Sequence, residues 1–236
     1  NKAVENKDTG IHIQIDSEIP LGAGLGSSSA CCVAGAAAIF KLFGDISKEE
    51  ILKLAIEAER TIFENTSGAD CTVCTYGGIM EYDKNKGFKK IEYEPNFQVV
   101  IINSNMEHST QSMVSKVKEF ENKNTEEFSR LSDLESKLVE DVLKLVKENK
   151  IQEIGQKMNQ NQKYLENIGI SNKELTKMIR IGQESSFGAK ITGSGGGGCI
   201  FALTNESNLQ NILKKFKDNN YECFSTKIDF KGLNTF

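Results

Sequence analysis

Two glycine-rich stretches carry the residue types and spacings in this chain that can do chemistry. The first is Pro20-Leu21-Gly22-Ala23-Gly24-Leu25-Gly26-Ser27-Ser28-Ser29-Ala30. Glycines let a backbone approach an anion closely. A helix beginning at the serines would present unpaired N–H groups and the positive end of its dipole. The hydroxyls of Ser27, Ser28 and Ser29 add donors, and an oxygen able to reach a phosphate-bound metal. The spacing is not G-x-x-x-x-G-K-[ST], because no lysine follows the glycines, nor G-x-G-x-x-G, because position 27 is serine. On spacing alone a phosphate cradle and a plain tight turn before a well-capped helix both stay open.

The second stretch runs from Gly188 to Gly198, and Gly193-x-Gly195-x-x-Gly198 formally matches the dinucleotide fingerprint. Its context argues against that match, because a strand pattern, Cys199 to Leu203, follows where a helix is required. A glycine loop before a strand can still line a cleft with N–H groups. Glu59 sits just off an apolar helical stripe of Ile51, Leu54, Ala55, Ala58 and Ile62. Such a carboxylate is usually solvated or paired, and can instead face a metal in a cleft; spacing favours the first. Asp70 ends a polar loop, Asn65 to Asp70. Cys71-Thr72-Val73-Cys74 is a single C-x-x-C with no second pair, and the two histidines, His12 and His108, are distant in sequence. That argues against zinc and for buried reduced thiols in a cytosolic protein.

These residues need elements to position them. Ile11, Ile13, Ile15 and Ile19 alternate, which predicts a strand leading into the first glycine stretch. A helix from about Ser27 to Phe43 follows, dense in small residues and stopped by Gly44. Ser47-Lys48-Glu49-Glu50 is a capping box opening the next helix. Ile79–Tyr82, Lys89–Tyr93 and Phe97–Ile102 read as strands, the last central because its apolar run is continuous. The pattern is helical from Ser112 to about Tyr164, with a break near Asn149 and a further helix through Leu165. A second capping box, Ser171 to Glu174, opens a helix toward Ser186. A helix from Glu206 to Asn219 and a strand from Tyr221 to Phe230 close the chain. Residues 1–9 are polar and expected to be loose, and a domain boundary is expected near Pro95, giving domains 1–95 and 96–236.

The 236 residues permit one large domain or two small ones. With 26% charged and 38% hydrophobic residues, the composition is that of an ordinary soluble protein. A net charge of −4 gives no basic footprint for nucleic acid. No apolar run approaches a membrane span, and the polar opening residues do not read as a signal peptide.

Several elements together resemble the GHMP small-molecule kinases, which include galactokinase, homoserine kinase, mevalonate kinase and phosphomevalonate kinase. Pro20-x-Gly22-x-Gly24-Leu25-Gly26-Ser27-Ser28 is similar to the family's second motif, and Lys190-Ile-Thr-Gly193-Ser-Gly195-Gly-Gly-Gly198-Cys199 to its third. Within the family the chain resembles the mevalonate kinases. Glu59-Arg60 followed by Ser67-Gly68-Ala69-Asp70 is similar to their E-R…S-G-x-D element. His108-Ser109-Thr110 is similar to their substrate loop, and Asn161-Gln162-x-x-Leu165-x-x-Ile168-Gly169-Ile170 to their N-Q-x-x-L-x-x-L-G-V segment. The resemblance covers residues from about Gly10 to Phe230. The family's first motif, a P-G-K-like loop with a downstream G-E-H, would precede residue 1.

The resemblance implies an α/β (α+β) fold of two domains with the active site between them, the N-terminal ATP-binding domain being incomplete here. It implies ATP- and Mg²⁺-dependent phosphorylation of a small molecule, mevalonate, to 5-phosphomevalonate. ATP-binding residues would be Pro20, Gly22, Ala23, Gly24, Leu25, Gly26, Ser27, Ser28 and Ser29. Ser28 and Glu59 match metal positions, Asp70 the catalytic acid, and Thr110 and Ser194 substrate positions. Gly193, Gly195, Gly196 and Gly197 would line the cleft. For Asp70 the alternative is an N-cap on the segment Cys71 to Tyr76. The family implies a cytoplasmic protein and commonly a homodimer, with neither nucleic acid nor membrane as partner. Two alternatives stay open: a catalytically impaired relative that binds nucleotide or metabolite, and a kinase for phosphomevalonate, homoserine or a sugar.

Overall fold

The computed structural model describes residues 10–20, 22–83, 85–93, 96–107 and 109–234. The expectations made for residues 1–9, Leu21, Pro95 and His108 lie outside the described residues. The chain forms two compact units, neither a single stretch. One comprises Gly26–Glu94 with Asn1–Pro20 and Ile228–Phe236; the other comprises Pro95–Lys227 with Leu21–Leu25.

The first unit holds α1 (Ser27–Lys41), α2 (Lys48–Arg60), α3 (Ala69–Tyr76) and a hairpin of β1 (Ile79–Asp83) and β2 (Gly87–Ile91). On α1 the buried residues Ser29, Val33 and Ala37 recur every four positions, so one stripe faces inward. They pack with Ile51 and Ala55 of α2 and Cys71 of α3. Ser47 caps α2 with a complete capping box to Glu50. The tail returns to this unit. Gly78 N–H bonds Asp229 O at 2.7 Å and Leu233 N–H bonds Thr75 O at 3.1 Å. Gly77 is required here: its φ is +64°, and a Cβ on it would stand 2.5 Å from the Gly232 nitrogen. The strand expected over Ile11–Ile19 does not form. Alternation encodes a face, but a strand needs a ladder partner. Residues 10–18 pair with none among the described residues, and Ile11, Ile13 and Ile15 stay 37%, 47% and 56% exposed.

The second unit is built on an antiparallel sheet of β3 (Gln98–Asn103), β4 (Gly188–Ile191), β5 (Cys199–Thr204) and β6 (Glu222–Thr226), in the order β4-β5-β3-β6. Register pairs Val100 with Ala202 and Ile101 with Phe201. Val100, Ile102, Ile191 and Ile200 point to one face and form the main core. There they meet Leu175 and Met178 of α7 (Lys173–Ser185), and Ile212 and Phe216 of α8 (Glu206–Asp218). On the other face Ile101 and Cys199 pack with Ala23 and Leu25. The sheet therefore seats Ala23 and Leu25 of the first glycine stretch.

Three further helices complete this unit: α4 (Thr110–Lys123), α5 (Thr125–Lys147) and α6 (Ile151–Ile168). The break at Asn149 is present, with φ +54°. A second break at Asn124, absent from the sequence reading, separates α4 from α5. The cap of α7 is Asn172 rather than Ser171: its side chain accepts from Leu175 N–H, while Ser171 pairs with Thr176. β4 lies inside what reads as glycine cluster, and β6 is shorter than its pattern. The outer edge of β4 is covered by α6. Asn159 Oδ1 accepts from Ala189 N–H at 2.9 Å, and Gln162 Oε1 from Ile191 N–H at 3.0 Å. Gly155 and Gly188 permit that approach, since a Cβ on Gly188 would stand 2.0 Å from the Gly155 oxygen.

Candidate functional site

The first unit brings together Ser29, Glu59 and Asp70. Gly26 is the N-cap of α1 at φ +70°, and no side chain caps the helix. Its first N–H groups are of the kind that helices leave unpaired. Successive serines then turn to different sides: Ser28 is exposed and Ser29 is buried. Ser29 Oγ donates to Glu59 Oε1. Thr66 Oγ1 donates to Glu59 Oε2 at 2.5 Å. Glu59 is only 4% exposed, so the solvated reading favoured by its spacing is replaced by a buried, hydroxyl-bound carboxylate. The residue sits on the inward side of α2 because α1 and the loop ahead of α3 close over the edge of its stripe.

Asp70 is the second residue of α3, whose N-cap is Gly68 at φ +76°. The N-cap alternative for Asp70 is therefore set aside. A Cβ added to Gly26 would lie 3.5 Å from the Asp70 carboxyl carbon, so the bare backbone entering α1 runs past this acid. The start of α3 favours a negative charge there. Even so, desolvation by neighbouring atoms, and then the charge of Glu59, raise the Asp70 carboxyl above its ordinary range. The nearby thiols are held protonated. Burial, reinforced by Glu59, pushes Cys71 up to about 12; burial, then Asp70 and Glu59, push Cys74 up to about 11. All six cysteines are free.

The second unit brings together Gly22, Ala23, Gly24, Leu25, Thr110, Ser194 and the glycines of the second stretch. Gly22 and Gly24 take φ +68° and +72°. Ala23 is buried and its carbonyl accepts from Cys199 N–H at 3.1 Å. A Cβ on Gly193, at φ +67°, would stand 3.1 Å from the Gly24 oxygen, so the two glycine stretches run against each other. Gly196 N–H bonds Ile170 O at 2.8 Å and Gly198 N–H bonds Met106 O at 3.0 Å. Those two amides are committed within the protein and are not donors to a ligand. Asn172 Nδ2 donates to Gly196 O at 2.9 Å, fixing the loop from its other side. Thr110 opens α4, and Ser194 Oγ donates to Thr110 Oγ1 at 3.5 Å, so the two substrate candidates meet. Pro20 lies in the first unit, with no regular structure.

Ser29 and Thr66 are what sequence reasoning missed as partners of Glu59. The spacing of Thr66, seven residues on and across a turn, carries no helical signal. Among the described residues no group of three or more His, Cys, Asp or Glu side chains could hold a metal. The donors near α1 are oxygens: two carboxylates and the exposed Ser28 hydroxyl. Such a sparse set suits a hard divalent cation that keeps waters and shares phosphate ligands, rather than an all-protein cage. Each Glu59 oxygen accepts a hydroxyl hydrogen bond, and the Cys71 thiol is a further hydrogen-bonding neighbour of this carboxylate. No helix among the described residues is long and apolar enough to cross a membrane.

The family model for the GHMP kinases N terminal domain matches residues 1–78, and that for GHMP kinases C terminal matches residues 142–222. The chain is 37% identical over 238 residues to a mevalonate kinase of Thermococcus sibiricus, covering 96% of this chain and 69% of that protein. It is 35% identical over 206 residues to one of Pyrococcus furiosus, covering 84% and 61%. Among solved structures, the mevalonate kinase of Methanococcus jannaschii superposes with a TM-score of 0.81 at 28% identity, covering 91% of this chain and 67% of that one. The L. major mevalonate kinase in complex with R-mevalonate does so with 0.78 at 25%, covering 86% and 66%. The chain thus spans 61% to 69% of the length of these two curated relatives.

Proposed function

Because the chain belongs to the GHMP kinase family, we propose that it transfers the terminal phosphoryl group of ATP to the hydroxyl of mevalonate, yielding 5-phosphomevalonate for isoprenoid precursor synthesis. The observation that carries this reading is the Glu59–Asp70 pair at the start of α1, with Gly26 passing the Asp70 carboxyl. Two acids of different standing are what the chemistry asks for. Phosphoryl transfer needs positioning, charge neutralisation and an acceptor for the alcohol proton.

In this reading the amides of residues Gly22 to Ser29 and the α1 N-terminus hold the ATP phosphates. Glu59 and Ser28 hold Mg²⁺, which when bound neutralises phosphate charge. Asp70 takes the proton of the mevalonate hydroxyl, or orients it, and its raised affinity for a proton suits that task. Thr110 and Ser194 contact the substrate, and Gly193, Gly195 and Gly197 let the backbone come close to it. The same reading makes the protein a cytoplasmic enzyme of small molecules and a homodimer, with a domain boundary near residue 95.

An ADP-release assay with Mg·ATP and a panel of mevalonate, phosphomevalonate, homoserine and galactose tests it. The chain is assayed as it stands and with any flanking residues its gene encodes. The expected result is release with mevalonate that is lost in Asp70→Asn. Release with another alcohol alone, or none while nucleotide still binds, overturns it.

A further inference from the structure

We propose that Ser29 and Thr66 are positioning residues for Glu59, and that together they set the affinity of this chain for its divalent cation. This rests on the assignment of Glu59 as a metal-binding carboxylate. A carboxylate that is 4% exposed must have its charge compensated or its oxygens satisfied. Among the described residues no lysine or arginine forms an ion pair with Glu59. Its partners are neutral: the Ser29 hydroxyl on Oε1, the Thr66 hydroxyl on Oε2, and the Cys71 thiol beside them. Two donors satisfy oxygens without cancelling the charge. The two hydroxyls hold one carboxylate oxygen each. That is how outer groups aim a metal ligand.

The two donors come from different elements, so the clamp ties three pieces of chain to one carboxylate. Ser29 is on the inward stripe of α1, one turn before Val33, and is itself buried. It also faces the Cys71 thiol of α3. Thr66 lies in the loop ahead of α3, and its hydroxyl oxygen in turn accepts from Gly68 N–H at 3.1 Å. The Thr66 side chain therefore links Glu59 to the N-cap of the helix that carries Asp70. The run Ser27-Ser28-Ser29 divides its work by helical rotation: exposed Ser28 faces outward, and Ser29 turns inward to the carboxylate. A purely structural role would make the same bonds matter for stability and leave cation affinity alone.

Binding of Mn²⁺ to the intact chain, followed by loss of the free-ion EPR signal and reversed by Mg²⁺, separates the two. Ser29→Ala and Thr66→Val are each expected to bind Mn²⁺ about tenfold or more weakly, as lost outer-shell partners do. Thr66→Ser, which keeps the hydroxyl, is expected to restore wild-type affinity. Binding by folded Ser29→Ala and Thr66→Val within about twofold of wild type overturns the proposal. Should Ser29→Ala fail to fold, the half-buried Thr66 position decides alone, through the Val and Ser pair. Glu59→Gln tests the underlying assignment. If it binds Mn²⁺ as wild type does, Glu59 is not the ligand, and the metal reading falls with the proposal. If it loses binding while Ser29→Ala and Thr66→Val do not, only the proposal falls.

Discussion

Replacing Gln162 by leucine should loosen the edge of the sheet that leads into the second glycine loop. Gln162 is 1% exposed and its Oε1 accepts the Ile191 N–H at 3.0 Å. Ile191 is itself buried, two residues before Gly193. Leucine removes the acceptor and shields the amide from water, so the buried donor is left unpaired. That costs about 1–3 kcal/mol. For a chain of this size each kcal/mol lowers Tm by roughly 2–4 °C, so the expected loss is about 2–12 °C. Native-state hydrogen exchange gives the sharper test. The Ile191 amide should exchange about 5- to 150-fold faster, the same free energy read as a rate. Gln160→Ala, on the exposed side of α6, should stay within about 0.5 kcal/mol of the parent. If Gln162→Leu leaves Tm and the Ile191 exchange rate unchanged, α6 does not hold the β4 edge, and the structural account of this segment is wrong.

Other outcomes follow from the same geometry. Desolvation and the Glu59 charge raise the Asp70 carboxyl, so its charged form opposes folding. That opposition is absent below the ordinary aspartate range and grows as pH rises through the raised value. Asp70→Asn should therefore raise Tm in calorimetry at neutral pH, with the gain shrinking toward acid pH, while turnover falls about 10²- to 10⁴-fold; a lowered Tm at neutral pH would refute the electrostatic part. Gly193→Ala places a side chain at φ +67° and 3.1 Å from the Gly24 oxygen, costing roughly 1–2 kcal/mol or more in denaturant titration. Gly35→Ala, in α1 with nothing near its Cβ, should instead stabilise by about 0.5–1 kcal/mol. Iodoacetamide at about pH 8 should spare Cys71, Cys74 and Cys199 in the folded chain, because burial pushes those thiols to about 12, 11 and 11.

Where local chemistry decides, the sequence was readable. Small residues and serines mark α1, Ser47 and Glu50 cap α2, and the continuous run Val99 to Ile102 is an interior strand. Glycine spacing marked both loops, while the acids at 59 and 70 stood out only through the family resemblance. What escaped depends on partners far along the chain. The isoleucines at 11, 13 and 15 alternate as a strand does, yet have no ladder among the described residues. Glu59 read as a surface edge residue until α1 and Thr66 closed over it. Asn161-Gln162 resembled a signature, while its physical work was hidden: Gln162 completes a strand edge, and Asn161 donates to Glu135 at 2.6 Å. β4 was invisible because Gly188 and Ala189 are poor strand formers. Gly188 is there to let α6 approach.

The central claim is that this chain's acids and glycine loops phosphorylate mevalonate. The most direct measurement is the mass spectrum of mevalonate after incubation with the protein and Mg·ATP, with Asp70→Asn in parallel. The account predicts a product heavier by one phosphoryl group that forms with the parent and not with the variant. Unchanged mevalonate with both proteins, or equal product with both, would contradict it.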